Sequence, residues 1–325
     1  MEDVDARSRA DSTTDLDSAW PSLPLDAWRD THTTLHLWTQ IVGKIRLAQT
    51  PWVNHCWHVT LYPTARGLTT SLVPHGSRGF QIDFDFFAHR LDVSTTDGRT
   101  ATMPLAPQSV ARFYRQLMDR LRSLDLPVEI YATPCEVAEP IPFEKDEIHA
   151  SYDPVYATRF ARVLAASAAV FGRFRTRFVG KVSPVHFFWG APDLAVTRFS
   201  GRRAPLHPGG IPHLPDWVTR DAYSHEVSSC GFWAGGGPID YPVFYSYAYP
   251  EPKGFATAAI RPSAAFYSAD LREFLLPYEA VRQSASPEDT LLEFLQTTYE
   301  TAANLGGWDR ASLECEEGKP RGRSS

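Results

Sequence analysis

The sequence predicts an α+β protein of two related halves, each an antiparallel β-meander flanked by helices. Three observations lead there. Apolar residues recur at helical spacing in a few long stretches, strand-like runs lie between them at short intervals, and the order helix, meander, helix occurs twice. Short connections between consecutive strands favour antiparallel meanders over a parallel doubly wound sheet.

Residues 1–19 and 314–325 are polar and aperiodic and read as mobile tails. Between them the sequence divides into a first half over 20–140 and a second over 141–313, with a Pro-rich, charged junction around 133–153. From Asp26, an N-cap candidate, the residues Leu35, Trp38, Ile41, Val42 and Ile45 give an amphipathic helix that ends before Pro51. Strands follow at WHVTLY, GLTTSLV, FQIDFDF with RLDV after it, and TATMPL. Val110, Phe113, Leu117, Leu121 and Leu124 then mark a second helix, and VEIYAT a further strand.

The second half opens with a long helix through Phe160, Val163, Leu164, Ser167, Val170, Phe171 and Phe174. Strands follow at VHFFW, LAVTRFS, YSHEVSS, PVFYSYAY and AAFYSADLREFLLPY, with a closing helix from Pro287 past Tyr299. Val42-Gly43-Lys44 and Val179-Gly180-Lys181 hold the same place after the two leading helices, but the shared order of elements is the better sign of an internal duplication.

Composition excludes several functions. With 325 residues, 43% hydrophobic and 22% charged, the chain has material for a large core and is too apolar to be disordered throughout. A net charge of −6, from 38 acidic and 32 basic residues without a basic block, leaves out the footprint of a nucleic-acid binder. The acidic amino terminus lacks an apolar signal region and no run has the length of a membrane span, so the expected protein is cytoplasmic with no membrane partner. Cys56, Cys135, Cys230 and Cys315 lie far apart, without a C-x-x-C pair, and read as reduced thiols.

Two regions carry candidate chemistry. In FQIDFDFFAHRL, strand alternation puts Asp83, Asp85 and His89 on one face, and His58 of the preceding run beside them. Such a face is either solvated or a metal or acid/base site, since Asp is depleted in strands. His32 and His36 sit four apart on the first helix but lack the glutamate of a zinc-protease helix, and read as packed or surface residues.

The second half is richer. Arg198, Ser200 and Arg202 alternate along one strand and suggest a clamp for a carboxylate or phosphate. AYSHEVSSCGFW is bounded like a strand yet polar on both faces, with Tyr223, His225 and Ser229 on one side and Glu226, Ser228 and Cys230 on the other. Tyr245, Tyr247 and Tyr249 form a ladder on the next strand. A polar strand between an arginine strand and a tyrosine strand fits a ligand pocket; it equally fits two sheets wetted by buried water. No G-x-S-x-G elbow, G-x-G-x-x-G or phosphate loop is present.

The blocks LHLWTQIVGKIRL, NHCWHVTLY through RGLTTS, FQIDFDFFAHRL, SPVHFFWGAPDLAVTRFSGR, YSHEVSSCGFW, FYSYAYPEPKGF and EFLLPYEAVR resemble the bacterial domain-of-unknown-function family 5996 over residues 20–313. That resemblance implies kinship and assigns no activity or catalytic residue.

The leading expectation is an enzyme acting on a small anionic molecule by histidine-based acid/base chemistry. His225 is its acid/base, Glu226 its orienting group, Tyr223 a donor, and Arg198, Ser200, Arg202 and Tyr247 hold the substrate. A divalent iron, zinc or manganese on His186, His225 and Glu226 is the metal-assisted version, and it needs a bulge because adjacent strand residues point oppositely. His58, Asp83, Asp85 and His89 form a second candidate cluster. The alternatives are a non-catalytic binding or sensor protein whose aromatic residues cage an uncharged or cationic ligand, and a scaffold.

Overall fold

The computed structural model describes residues 18–316, so the tail segments 1–17 and 317–325 lie outside the described residues. The first half comprises α1 (Arg29–Gln49), β1 (Tyr62–Thr64), β2 (Gly67–Thr69), β3 (Val73–His75), β4 (Arg78–Asp85), β5 (Arg90–Thr95), β6 (Thr100–Pro104) and α2 (Val110–Ser123). The second comprises α3 (Pro154–Thr176), β7 (His186–Phe188), β8 (Asp193–Arg203), α4 (Asp216–Ala222), β9 (His225–Trp233), β10 (Val243–Tyr249), β11 (Phe266–Ser268), β12 (Glu273–Pro277), α5 (Tyr278–Arg282), α6 (Pro287–Leu305) and α7 (Arg310–Leu313). Each half holds one antiparallel six-stranded sheet, so the fold is α+β.

The long helices form where the apolar spacing puts them, and side-chain caps set the starts of α2 and α3. Asp153 caps α3 by accepting from the amides of Val155 and Tyr156, with Pro154 at the first helical position, and Ser109 caps α2 through the Arg112 amide. Asp26 does not cap α1; it sits in a 3-10 turn (Leu25–Ala27) and pairs with Arg29. The expected strand VEIYAT is also absent. Val128, Ile130 and Ala132 pack against the core, but no ladder partner is in register with them. The run AAFYSADLREFLLPY divides into β11 and β12, turned at Arg272, whose φ is 59°. Glu314, assigned to a tail by composition, accepts hydrogen bonds from Tyr299 and Arg310.

The second sheet runs in the order β11-β12-β10-β9-β8-β7. Its edge meets the first sheet at an isolated antiparallel bridge, where Leu61 donates to the Phe187 carbonyl at 2.9 Å and Phe187 returns the bond at 2.7 Å. A single apolar cluster spans both halves, and Trp38 of α1 stacks on Phe113 of α2 at 4.6 Å within it. Leu194, Val196, Phe232, Phe244 and Leu276 turn one face of the second sheet into that core, each fully buried apolar side chain stabilising the fold by about 1.5–3 kcal/mol. The opposite face carries only a small cluster of Val243, Tyr245 and Leu275. Irregular chain covers part of it: His207 stacks on Tyr223, and Tyr249 donates to the Pro205 carbonyl. That face holds the chemistry.

Candidate functional site

Strand alternation places Asp193 and Thr197 of β8, Ser229 and Gly231 of β9, Tyr245 and Tyr247 of β10, and Glu273 of β12 on the face away from the main core. Register aligns them in rows. Ser229 lies between Thr197 and Tyr247, and Gly231 between Ala195 and Tyr245. Thr197 and Ser229 share a hydrogen bond of 2.8 Å, Tyr223 donates to the Tyr247 hydroxyl at 3.0 Å, and Tyr245 donates to Asp193. The rings of Tyr245 and Tyr247 lie nearly parallel, 6.1 Å apart.

A third carboxyl enters from the junction segment. Glu136 has a left-handed backbone (φ 55°), and its amide donates to the His213 carbonyl. Its carboxyl rests on Gly190, where an added Cβ would fall 1.9 Å from Oε1. Gly190 is therefore required by close approach, and the strained conformation of Glu136 marks a position worth a functional hypothesis.

Electrostatics distinguish this face from an ordinary wet sheet. Burial pushes the Asp193 carboxyl up to about 8; Glu136 and Glu273 push the same way, against the Tyr245 hydrogen bond. Burial likewise raises Glu273 to about 7 and raises Glu136. None of the three has an ion-pair partner among the described residues, yet all three remain partly exposed. Burial also lifts Tyr223, Tyr245 and Tyr247, so the phenols stay protonated. The site thus presents carboxyls that exchange protons near neutrality beside aromatic faces, a combination suited to acid/base work or to neutralisation by a ligand.

Of the residues anticipated from sequence, Tyr223 and Tyr247 meet here. His225 starts β9 at the far end of the same face, its Nδ1 3.2 Å from Ser224 Oγ and its ring 6.0 Å from that of His55. Burial lowers its pKa, and Lys181 and Arg203 add to the effect. Glu226 points the other way. It accepts from Ser200 at 2.7 Å and from Arg202 at 2.9 Å, while Arg202 also donates to the carbonyls of Gly306 and Gly307 and so secures the end of α6.

The arginine clamp is not formed. Arg198 is fully buried on the core side, donates to the Phe174 carbonyl, and lies 3.5 Å from the Phe174 ring centre and 4.2 Å from that of Tyr299. Burial brings its pKa down to about 10. Arg198 sits opposite Ser228 deep in the core, whereas Arg202 lies past the register shift between Phe199 and Arg203, at the strand end, where it engages Glu226. Nor are His186, His225 and Glu226 brought together. His186 is fully buried with its pKa lowered by burial to about 3, and among the described residues no group of three His, Cys, Asp or Glu side chains is arranged to hold a metal.

The second cluster is dispersed as well. His58 bonds the Val53 backbone, Asp83 accepts from Gln81, and His89 bonds the Tyr152 hydroxyl. Asp85 takes Arg66 at 2.6 Å and the amides of Phe87 and Ala88. His36 lies 2.8 Å from the Gly190 carbonyl, and buried His32 packs edge-on against Trp28. A separate cleft of about 210 Å³ lies between Val227, Ala248, Pro250 and Trp308; its carboxylate, Glu226, is already occupied by Arg202 and Ser200.

Sequence reasoning missed Asp193, Glu136 and Glu273. The available signals were acidic residues opening two apolar strand runs, DLAV and EFLL, and the glycines in FFWG and SSCG that leave room for side chains from elsewhere.

No helix among the described residues is long and apolar enough to cross a membrane. No curated protein and no solved structure matches the chain. The model of a family of unknown function, DUF5996, matches residues 20–315, which is almost the whole of the described chain, and the protein belongs to that family.

Proposed function

We propose that the tyrosine-lined face of the second sheet binds a small organic cation, and that Asp193, Glu136 and Glu273 act on it as counter-charges and proton acceptors. One observation carries this reading: three carboxyls, held high by burial, lie beside Tyr223, Tyr245 and Tyr247 without an ion-pair partner. An ammonium or guanidinium group supplies the missing charge, lets the carboxyls release their protons, and gains from the aromatic faces. In a catalytic version, protonated Asp193 is the acid and the more readily ionised Glu273 the base, two environments setting two roles.

The expectation of an anionic substrate loses Arg198 and Arg202, which are engaged in the core and with Glu226. The test is calorimetric titration with alkylammonium, diamine and guanidinium ions at pH 6, 7 and 8, in buffers of different ionisation enthalpy. Proton release on binding, tighter binding at higher pH and loss of binding in Asp193→Asn are expected. No interaction with any cation, or binding indifferent to Asp193→Asn and Tyr247→Phe, would remove this reading.

A further inference from the structure

Lys181 and His55 form an independent constellation beyond the carboxyl site. The Lys181 ammonium lies 2.6 Å from His55 Nε2. His55 Nδ1 faces the carbonyls of Asp221 and Ala222 at 3.1 and 3.3 Å, so it must carry the ring proton and Nε2 is left as the acceptor for Lys181. The Lys181 nitrogen also sits over the rings of Phe199 at 4.8 Å and Trp57 at 5.3 Å. His55 and Cys56 are consecutive left-handed residues, with φ of 60° and 56°, so the imidazole is presented by a backbone that disfavours it.

Burial is the dominant influence on both groups, and it favours their neutral forms. Burial lowers the pKa of Lys181, opposed by Asp221. Burial lowers that of His55 too, and Lys181 adds to the effect. His225 and Arg203, cross-strand neighbours, complete the ring of basic groups, and the Cys56 thiol faces Asp221 at 3.9 Å. A lysine beside aromatic walls and other cations, with a neutral imidazole on its nitrogen, matches the environment that activates an amine as a nucleophile. Lys181 as a whole remains exposed, so a small reagent reaches it.

We infer that Lys181 is the nucleophile of a second site, which takes a small aldehyde or ketone, with His55 as its proton shuttle. The amine, having given one proton to His55 Nε2, attacks the carbonyl carbon; the C–N bond forms as the C=O π pair moves to oxygen. The oxygen takes one of the two protons that the cationic nitrogen now carries, which gives the neutral carbinolamine. His55, in its imidazolium form, then protonates that hydroxyl, which leaves as water, and the C=N bond forms. The net change is amine plus carbonyl to imine plus water, with no oxidant or reductant.

The experiment uses the full chain with glyoxylate and, separately, propionaldehyde as probes, trapped by cyanoborohydride at pH 7 and located by peptide mass mapping. The sequence holds five lysines, which makes the map simple, and exposed Lys145 and Lys253 serve as internal references. Lys181 is expected to be trapped faster than either, since a lowered pKa leaves more of the amine free at pH 7. Lys181→Arg should abolish the fast adduct, and His55→Gln should slow it while circular dichroism stays unchanged. If His55→Gln fails to fold, the pH profile of trapping in the wild type decides: the half-point for Lys181 must lie below those of Lys145 and Lys253. Equal trapping at Lys181, Lys145 and Lys253, or an unchanged rate in folded His55→Gln, overturns the inference. Binding of organic cations at Asp193 involves none of these residues and is scored separately.

Discussion

The Tyr245 hydroxyl on β10 reaches the Asp193 carboxyl on β8 by passing over the intervening strand at Gly231. A Cβ at residue 231 would meet Tyr245 Oη and the Leu194 carbonyl oxygen, each at 2.4 Å. The Tyr side chain has some freedom to move; the backbone oxygen has little. Gly231→Ala should therefore destabilise the protein by about 1–3 kcal/mol, the usual range for overpacking, and weaken any ligand bound beside Asp193. Urea denaturation gives the first quantity and titration the second.

Stability should fall with pH because of the same face. Asp193 and Glu273 have folded-state values of about 8 and about 7, above the ordinary carboxyl range. The native state therefore holds more protons than the unfolded state across that interval, and the free energy of unfolding decreases as pH rises from the ordinary carboxyl values towards the raised ones. Asp193→Asn and Glu273→Gln should each flatten this slope and raise the melting temperature at pH 8 relative to wild type. Parallel pH profiles for mutant and wild type would show that the two carboxyls are not shifted.

Arg198 should be dispensable as a charge and costly as a hole. Its Nε and Nη1 find no partner among the described residues, while its guanidinium stacks between Phe174 and Tyr299. Replacing a buried, incompletely bonded cation by an apolar side chain of similar volume is commonly neutral or stabilising. Arg198→Met is expected to keep or raise the melting temperature, whereas Arg198→Ala should cost about 3 kcal/mol or more through the cavity it leaves. Strong destabilisation by Arg198→Met would mean that the charge itself is needed.

Asp83 and Asp85 should behave differently despite sharing a strand face. Burial tends to raise the Asp85 carboxyl, but Arg66 and the amides of Ala88 and Phe87 outweigh it and hold the pKa below the ordinary value. Asp85 thus contributes stability that is present above the unfolded-state pKa and is lost as pH falls. Asp85→Asn should cost about 1–2 kcal/mol at pH 7 and less at pH 3, because the turn loses charge-assisted hydrogen bonds. Asp83→Asn, which disturbs only the bond from Gln81, should change stability by less than about 0.5 kcal/mol. Chemical denaturation at both pH values separates them.

Arg202 and Glu226 form a structural link rather than a substrate clamp. Arg202→Ala releases the Gly306 and Gly307 carbonyls at the end of α6 as well as the exposed ion pair, so a loss of about 1 kcal/mol is expected. A double-mutant cycle with Glu226→Gln measures how much of that belongs to the pair.

The sequence by itself determined the long helices and most of the strands in their order, but not the short helices, and it placed a strand at VEIYAT where none forms. Leu35, Trp38, Ile41 and Val42, or Val110, Phe113, Leu117 and Leu121, have a helical period because one helix face must be buried, and that requirement is local enough to be visible in a window of residues. Alternation similarly revealed Tyr245 and Tyr247 as one face of a strand. What only the tertiary structure decided was which face met the core and which distant groups met there. Arg198 lies against Phe174 and Tyr299 because its side of β8 faces the helices. Glu136 bears electrostatically on Asp193 from a segment without regular structure, and Lys181 meets His55 from 126 residues away. The sites depend on contacts between elements far apart in the chain, and on burial that shifts a carboxyl or an amine. Neither leaves a periodic trace in sequence, because a period records the shape of one element and not the identity of its neighbours.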